Sequence, residues 1–361
     1  MRTFRSTRRT VIPFLVALAL ATGSILAFCG ADVVQPRFPL TFEGMLDTDD
    51  MCIWIHPTDP SLSTIIAADK SARIIVVYDL SGDVLQTFSV LRTETALEQP
   101  GNIDLRYGFP LGDELIDIVA FNQRSGSTLR SIHVYMVDPE TRLLSRIDDG
   151  NIATHRNYGM CLYKSPSTGK FYAFATSEKR EGVEQYELFD NGDGQITGTR
   201  VRSWDQEKCE GAVADDELGY VYICEESSGA WRYDAEPDAS TEGTHIAVVG
   251  ENGFEPDAEG VTIYYAADGR GYIIVSSQGS NSFLVYDRQP PHEYIKTCSV
   301  EGARDTDGID VTNVDLGPDF PYGIFVCHAD GSPSIALVVA YEDLGLKIDT
   351  FYDPRGRGDE D

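Results

Sequence analysis

The chain has 361 residues, with 58 acidic and 29 basic side chains and a formal charge of −29. That sign and density of charge argue against nucleic acid and anionic membrane surfaces as partners, because phosphates would be repelled over most of the surface. A chain of this length buries a sizeable core without disulfide staples.

The N-terminus comes first. Arg2, Arg5, Arg8 and Arg9 precede an apolar run over residues 11–28, the pattern of a secretory signal. Residues 1–31 are therefore read as a signal peptide, with cleavage near Gly30-Ala31. A retained membrane anchor is the alternative for the same run. Leu26-Ala27-Phe28-Cys29 half-matches a lipoprotein box, with bulky Phe28 where a small residue is wanted, and Arg8-Arg9 hints at twin-arginine export. Export is the expectation, to a secreted or periplasmic location, with no stable membrane contact unless Cys29 is lipidated. The mature chain keeps 25 basic and 58 acidic residues, a formal charge of −33. Six cysteines remain: Cys52, Cys161, Cys209, Cys224, Cys298 and Cys327. No CxxC spacing occurs among them, and buried thiols or one or two bridges fit equally well.

Short runs rich in β-branched and aromatic residues then follow one another, separated by Gly, Asp, Asn and Pro. They lie at residues 74–78, 116–121, 131–137, 171–176, 220–224, 271–276, 283–286 and 323–327 and read as strands. Residues 340–346 read as a short helix, and no linker is evident over residues 40–345. A Tyr near a strand end, followed by an acidic turn, recurs at Tyr78-Asp79, Tyr135 to Asp138, Tyr186-Glu187 and Tyr286-Asp287. The interval is roughly 50 residues, with one copy missing, which is a blade-sized repeat. The prediction is an all-β, six-bladed β-propeller over residues 32–350, with a polar tail at 351–361.

Carboxylates gather in knots where strands meet turns. They are Asp47-Thr48-Asp49-Asp50, Glu210, Asp215-Asp216-Glu217, Glu225-Glu226, Glu255 to Glu259, and Asp305-Thr306-Asp307-Gly308-Ile309-Asp310. Like charges this dense repel unless a cation neutralises them, and hard divalent ions, Ca²⁺ above all, take six to eight oxygen ligands. A solvated turn explains any one knot; repetition at similar junctions favours several Ca²⁺ ions. Asp190-Asn191-Gly192-Asp193-Gly194 half-matches an EF-hand loop but lacks its closing Glu, so a tight hairpin turn is expected there.

Specific strings carry a resemblance. Asp49-Asp50-Met51-Cys52-Ile53-Trp54-Ile55-His56-Pro57 resembles the opening signature of the β-propeller phytases. The match continues in order through Asn102-Ile103-Asp104, Tyr158-Gly159-Met160, Val183-Glu184-Gln185-Tyr186, Glu210-Gly211-Ala212, Glu259-Gly260-Val261, Ser276-Ser277-Gln278-Gly279 and Asp305-Thr306-Asp307-Gly308. It runs from about residue 45 to 330. The resemblance implies a calcium-dependent phosphomonoesterase, 3-phytase-like, that hydrolyses phytate (myo-inositol hexakisphosphate) by metal-activated water. It implies metal ligation by Asp49, Asp50, Tyr158, Glu210, Glu226, Asp257, Glu259, Gln278 and Glu301, with Glu210, Glu259 and Tyr158 nearest the chemistry. Glu301 stands where that family usually has an Asp. Lys70, Arg124 and Lys179 match positions that contact substrate phosphates, although an extra residue near Lys179 leaves Glu178 and Arg180 as alternatives.

The residues support the same chemistry. Carboxylates bridging cations make a positive spot on which a polyphosphate can dock, and the ions act as Lewis acids and lower the pKa of bound water. No Ser, Cys or His nucleophile is then needed, and His56 reads as structural. Departures include Gly101-Asn102 for an Asn pair, Met51 for a Pro, and His328-Ala329-Asp330-Gly331 for Gln-Asp-Gly. An inositol polyphosphate is the expected partner of a monomer. The rivals are a calcium-dependent phosphodiesterase and a non-catalytic calcium-stabilised binding propeller.

Overall fold

The computed structural model describes residues 32–90, 97–124, 130–155 and 157–348, and the signal-peptide and tail readings fall outside them. The apolar runs seen in the sequence become buried strands of six antiparallel sheets. Blade one is Thr48–Trp54, Thr64–Asp69, Ile74–Asp79 and Val84–Ser89. Blade two is Pro100–Leu111, Glu114–Gln123, Arg130–Val137 and Leu144–Arg146. Blade three is Met160–Lys164, Phe171–Ala175, Val183–Asp190 and Ile196–Trp204. Blade four is Cys209–Asp215, Tyr220–Glu225, Gly229–Asp234 and Thr244–Val248. Blade five is Ala258–Tyr265, Gly271–Ser277, Ser282–Asp287 and Tyr294–Val300, with Asp32–Val34 added in parallel at its outer edge.

Blade six closes the ring. Its inner three strands, Ile309–Val311, Ile324–Ala329 and Ile335–Ala340, come from the end of the chain, and its outer strand, Phe38–Leu40, comes from the beginning. The first strands of the blades contact one another in sequence, and the first strand of blade six returns to that of blade one. The fold is therefore a six-bladed β-propeller. No α-helix occurs among the described residues, and the helix expected at 340–346 is a single 3-10 turn, Tyr341–Leu344.

Six apolar cores hold the ring, one between each pair of neighbouring blades. Both faces of each blade's central strands are thus covered, which is why Thr64–Asp69 and Ile324–Ala329 are buried throughout rather than alternately. The Tyr repeat is completed by Tyr233-Asp234 in blade four and by Tyr341 after blade six. The blade-four copy, Trp231-Arg232-Tyr233-Asp234, carries a charged residue before its Tyr, unlike the recognised copies. All six cysteines are buried free thiols. His56 is structural as expected: its Nε2 lies 3.0 Å from the Pro139 carbonyl, and its Nδ1 accepts the Asp59 N–H at 3.0 Å. The EF-hand-like stretch is a hairpin turn, with Asp190 accepting the Gly192 N–H at 2.7 Å.

Candidate active site at the mouth of the central channel

The site begins with a repeated irregularity of the innermost strands. In blades one, two, four and five the first strand takes one more residue than its neighbour, at Asp49, at Gly101-Asn102, at Glu210-Gly211 and at Glu259-Gly260. Such bulges re-aim a side chain and recur beside active sites. Here they bring Asp49, Glu210 and Glu259 to one end of the channel. A glycine follows Tyr158, Glu210, Glu259 and Asp307, and each packs on the backbone of the next blade's equivalent position. A Cβ on Gly159 would lie 2.1 Å from the Glu210 carbonyl oxygen, one on Gly211 1.9 Å from that of Glu259, and one on Gly260 2.4 Å from that of Asp307. Gly211→Ala is therefore expected to cost roughly 1–3 kcal/mol, the scale of overpacking a rigid site, and to lower the urea midpoint. An unchanged midpoint would show that the ring yields freely.

Five carboxylates converge. One oxygen each from Asp49, Glu210 and Asp307 lie within 4.8 Å of one another, and the same holds for Glu210, Glu226 and Glu259. The two groups share Glu210, and all five residues are buried. The first group has its own cations. Lys70 Nζ is 2.5 Å from Asp49 Oδ1 and 3.7 Å from Asp307 Oδ2, while Arg124 Nη1 is 3.0 Å from Asp49 Oδ2 and 2.7 Å from Glu210 Oε1. The Arg124 guanidinium also stacks 4.1 Å from the centroid of the Tyr158 ring.

The second group is under-compensated. Glu226 Oε1 and Glu259 Oε2 are buried without a hydrogen-bond partner, and Glu210 Oε1 meets Arg124 outside hydrogen-bonding geometry. Its electrostatics follow. Burial pushes the Asp49 carboxyl up, but Arg124 and Lys70 outweigh it and hold it at about 2. Burial lifts Glu210 to about 7, against the pull of Arg124. Burial, then Glu210, Asp307, Glu226 and Asp257, drive Glu259 well above the carboxylate range. Asp307 is raised by burial, Glu210 and Asp49.

The other expected residues divide. The Asp257 carbonyl accepts the Gln278 N–H at 2.9 Å, and the Glu226 carbonyl accepts the Ala258 N–H at 3.0 Å, so Asp257 and Gln278 border the second group. Asp50 turns the other way, into the channel, where its carboxylate accepts the Ile103 N–H at 3.1 Å and lines a cavity with Asp104, Thr262 and Asp310. Glu301 is exposed beyond the outer strand of blade five, where its N–H meets the Val34 carbonyl, and it joins neither group. Lys179 is exposed and has no carboxylate partner among the described residues. Its neighbours are engaged: Glu178 lies 3.6 Å from Arg130, and Arg180 lies 3.3 Å from Glu207.

Two mouth residues had no individual role assigned from the sequence. Asp307 sat inside a quoted string, and its signal was the following Gly308, shared with Glu210-Gly211 and Glu259-Gly260. Lys208, whose ammonium is 2.6 Å from Glu226, carried no signal at all.

A family model described as Phytase matches residues 42–337. The 3-phytase of Bacillus subtilis (strain 168) is 41% identical over 342 residues, covering 88% of this chain and 87% of that protein. The chain belongs to the phytase family. It is accordingly an enzyme of the phosphoric monoester hydrolase class, which sets aside the non-catalytic rival. Among solved structures, a luciferin-regenerating enzyme superposes with a TM-score of 0.51 at 13% identity, covering 91% of this chain and 98% of that one. A calcium-binding protein, regucalcin, from Agrobacterium tumefaciens str. C58 gives a TM-score of 0.50 at 12% identity, covering 90% of this chain and 99% of that one. At such identities these two matches speak for the propeller fold of this phytase and nothing more.

Proposed function

We propose that this phytase hydrolyses phosphomonoesters of phytate at the channel mouth, using several Ca²⁺ ions held by its carboxylates and a water that they activate. The observation that carries the reading is the trio of Glu210, Glu226 and Glu259: one oxygen of each lies within 4.8 Å of the others, and Glu226 and Glu259 each keep a buried oxygen without a hydrogen-bond partner. Oxygens that share one Ca²⁺ at about 2.3–2.6 Å can stand no more than about 5 Å apart, so the trio fits that ion. Asp257, Gln278 and Tyr158 border the trio and complete the set of ligands. A bound Ca²⁺ supplies a Lewis acid for phosphoryl oxygens and lowers the pKa of its water.

The protein's own groups do the rest. Lys70 and Arg124 place two fixed positive charges beside the carboxylates, and both suit phosphate oxygens: a compact ammonium and a planar fork. Burial of the trio keeps its charges unscreened, so each cation and phosphate there interacts more strongly than in bulk water. Exposed Lys179 is assigned to an outer phosphate of the substrate. Asp49 is neutralised by Lys70 and Arg124, which orients both. Asp50 and Glu301 lie apart from this chemistry.

The N-terminal pattern supports an exported enzyme acting where calcium is abundant, and no helix among the described residues is long and apolar enough to cross a membrane. The deciding experiment is phosphate release from phytate by metal-stripped protein, with and without added Ca²⁺. Release only with Ca²⁺ is expected. Equal release in chelator overturns the metal, and faster cleavage of a phosphodiester than of phytate overturns the substrate.

A further inference from the structure

Lys208 stands at the under-compensated end of the mouth. It lies on the approach to the innermost strand of blade four, and its backbone is pinned: its carbonyl accepts the Glu226 N–H at 3.1 Å, while the next residue's N–H meets the Ser177 carbonyl at 3.0 Å. From there its ammonium reaches Glu226 Oε2 at 2.6 Å and lies 5.1 Å from the centroid of the Tyr158 ring, on which Arg124 also stacks. The side chain of Lys208 is 48% exposed, whereas that of Glu226 is 7% exposed. One end of the pair is thus fixed and buried, and the other is long, flexible and open to water. Glu226 in turn shares the trio with Glu210 and Glu259, one oxygen of each lying within 4.8 Å of the others, so the ammonium sits against the carboxylate cluster as a whole.

A cation entering the trio must share Glu226 with that ammonium. Two positive charges on one carboxylate repel, and the mobile one yields. Lys208 has a side for release, because nearly half its surface already faces solvent. Released from Glu226, whose charge the bound cation then offsets, its ammonium at the solvent-facing rim suits an incoming phosphate oxygen. Lys70 is placed differently: three carboxylates, Asp47, Asp49 and Asp307, lie within 3.8 Å of its Nζ, and only 21% of its side chain is exposed.

Resting on the calcium reading above, we propose that Lys208 is an exchangeable counter-ion of the Glu210–Glu226–Glu259 trio. It occupies Glu226 while no divalent ion is bound, gives way when one arrives, and then takes a phosphate of the substrate. One side chain would so lower calcium affinity and raise substrate affinity together, tying the positive charge available for phosphate to the presence of the metal.

The test compares the parent chain with Lys208→Met and Lys208→Arg, all metal-stripped, by calorimetric titration with CaCl₂ alone and by phytate kinetics at saturating Ca²⁺. Lys208→Met should bind Ca²⁺ about three- to five-fold more tightly, the scale of removing a half-exposed ion pair. It should also raise the KM for phytate several-fold, with kcat nearly unchanged. Lys208→Arg, which keeps the charge, should stay near the parent in both. Calcium affinity unchanged or weakened in Lys208→Met overturns the proposal, as does an unchanged KM. A parent that neither binds Ca²⁺ nor releases phosphate overturns the function proposed above along with it; a parent that does both, beside an unaltered Lys208→Met, overturns the Lys208 role alone. Circular dichroism confirms the fold of the variants, and half-exposed Lys208 contributes nothing to the interblade cores.

Discussion

Glu259→Gln is expected to lower phytate hydrolysis by roughly 10²-fold or more, the scale of losing a key electrostatic stabiliser, while the metal-free protein becomes more heat-stable, not less. The two effects have one cause. Glu259 is buried beside Glu210, Asp307, Glu226 and Asp257, and one of its oxygens has no hydrogen-bond partner. In the absence of a cation its charge is a cost of folding, and an isosteric amide removes that cost. With Ca²⁺ bound the same charge becomes a ligand, so the amide forfeits affinity and rate. Phosphate release in Ca²⁺ and melting curves in chelator together check the expectation. A variant with near-parental activity would mean that Glu259 does not serve the metal, and one that melts lower in chelator would mean that the carboxylate is satisfied in the metal-free fold.

Chelation should have the second large effect, and its size should depend on pH. A site bound only in the folded state stabilises it by about 2.7 kcal/mol at 100 times the dissociation constant, so two or more sites are worth a drop in Tm of roughly 10 °C when the metal is withdrawn. The pH dependence follows from buried acids. Burial raises Glu210 and Asp310 to about 7 and Asp216 to about 6. A carboxyl whose folded pKa exceeds its unfolded value of about 4 favours folding below that value, and the contribution is lost as pH rises through the folded pKa. In chelator the Tm should therefore fall between about pH 5 and 8. With saturating Ca²⁺ it should fall less over the same range, because the cation replaces protons at Glu210 while Asp310 and Asp216, outside the trio, still titrate. Scanning calorimetry at several pH values, with and without chelator, reads both. A Tm indifferent to chelator at pH 8 would remove calcium from the stability of this propeller.

The strands were legible because alternation, β-branching and turn residues act locally, over a few positions. The blade period was legible because each blade must solve the same packing problem, placing a buried Tyr in or directly after its third strand. Where one blade solved it with a charged neighbour, as at Arg232-Tyr233, the copy was lost to the pattern while its packing was kept. The strings from Asp49-Asp50 to Asp307-Gly308 placed the family, since eight of them in order leave little room for coincidence.

Which carboxylates meet was another matter. Asp215-Asp216-Glu217 forms as dense a knot as any, yet it lies at the far end of the strand from Glu210. There it is spent on cations: Asp215 is 2.6 Å from Arg288, and Asp216 is 2.8 Å from Arg106. Asp49 and Asp50 are adjacent in the chain but part company, one to the mouth and one into the channel, because a bulge changes the facing of a single residue and strand periodicity cannot foretell it. Lys208 precedes the first strand of blade four and Glu226 follows its second, and the two become partners only when the blade folds back on itself. By itself the sequence determined the propeller, the family and the supply of acidic side chains, all of which rest on local pattern. Only the closed ring decided which charges were left without partners, because compensation is a property of distance and burial, and both arise when six blades bring separate turns to one opening.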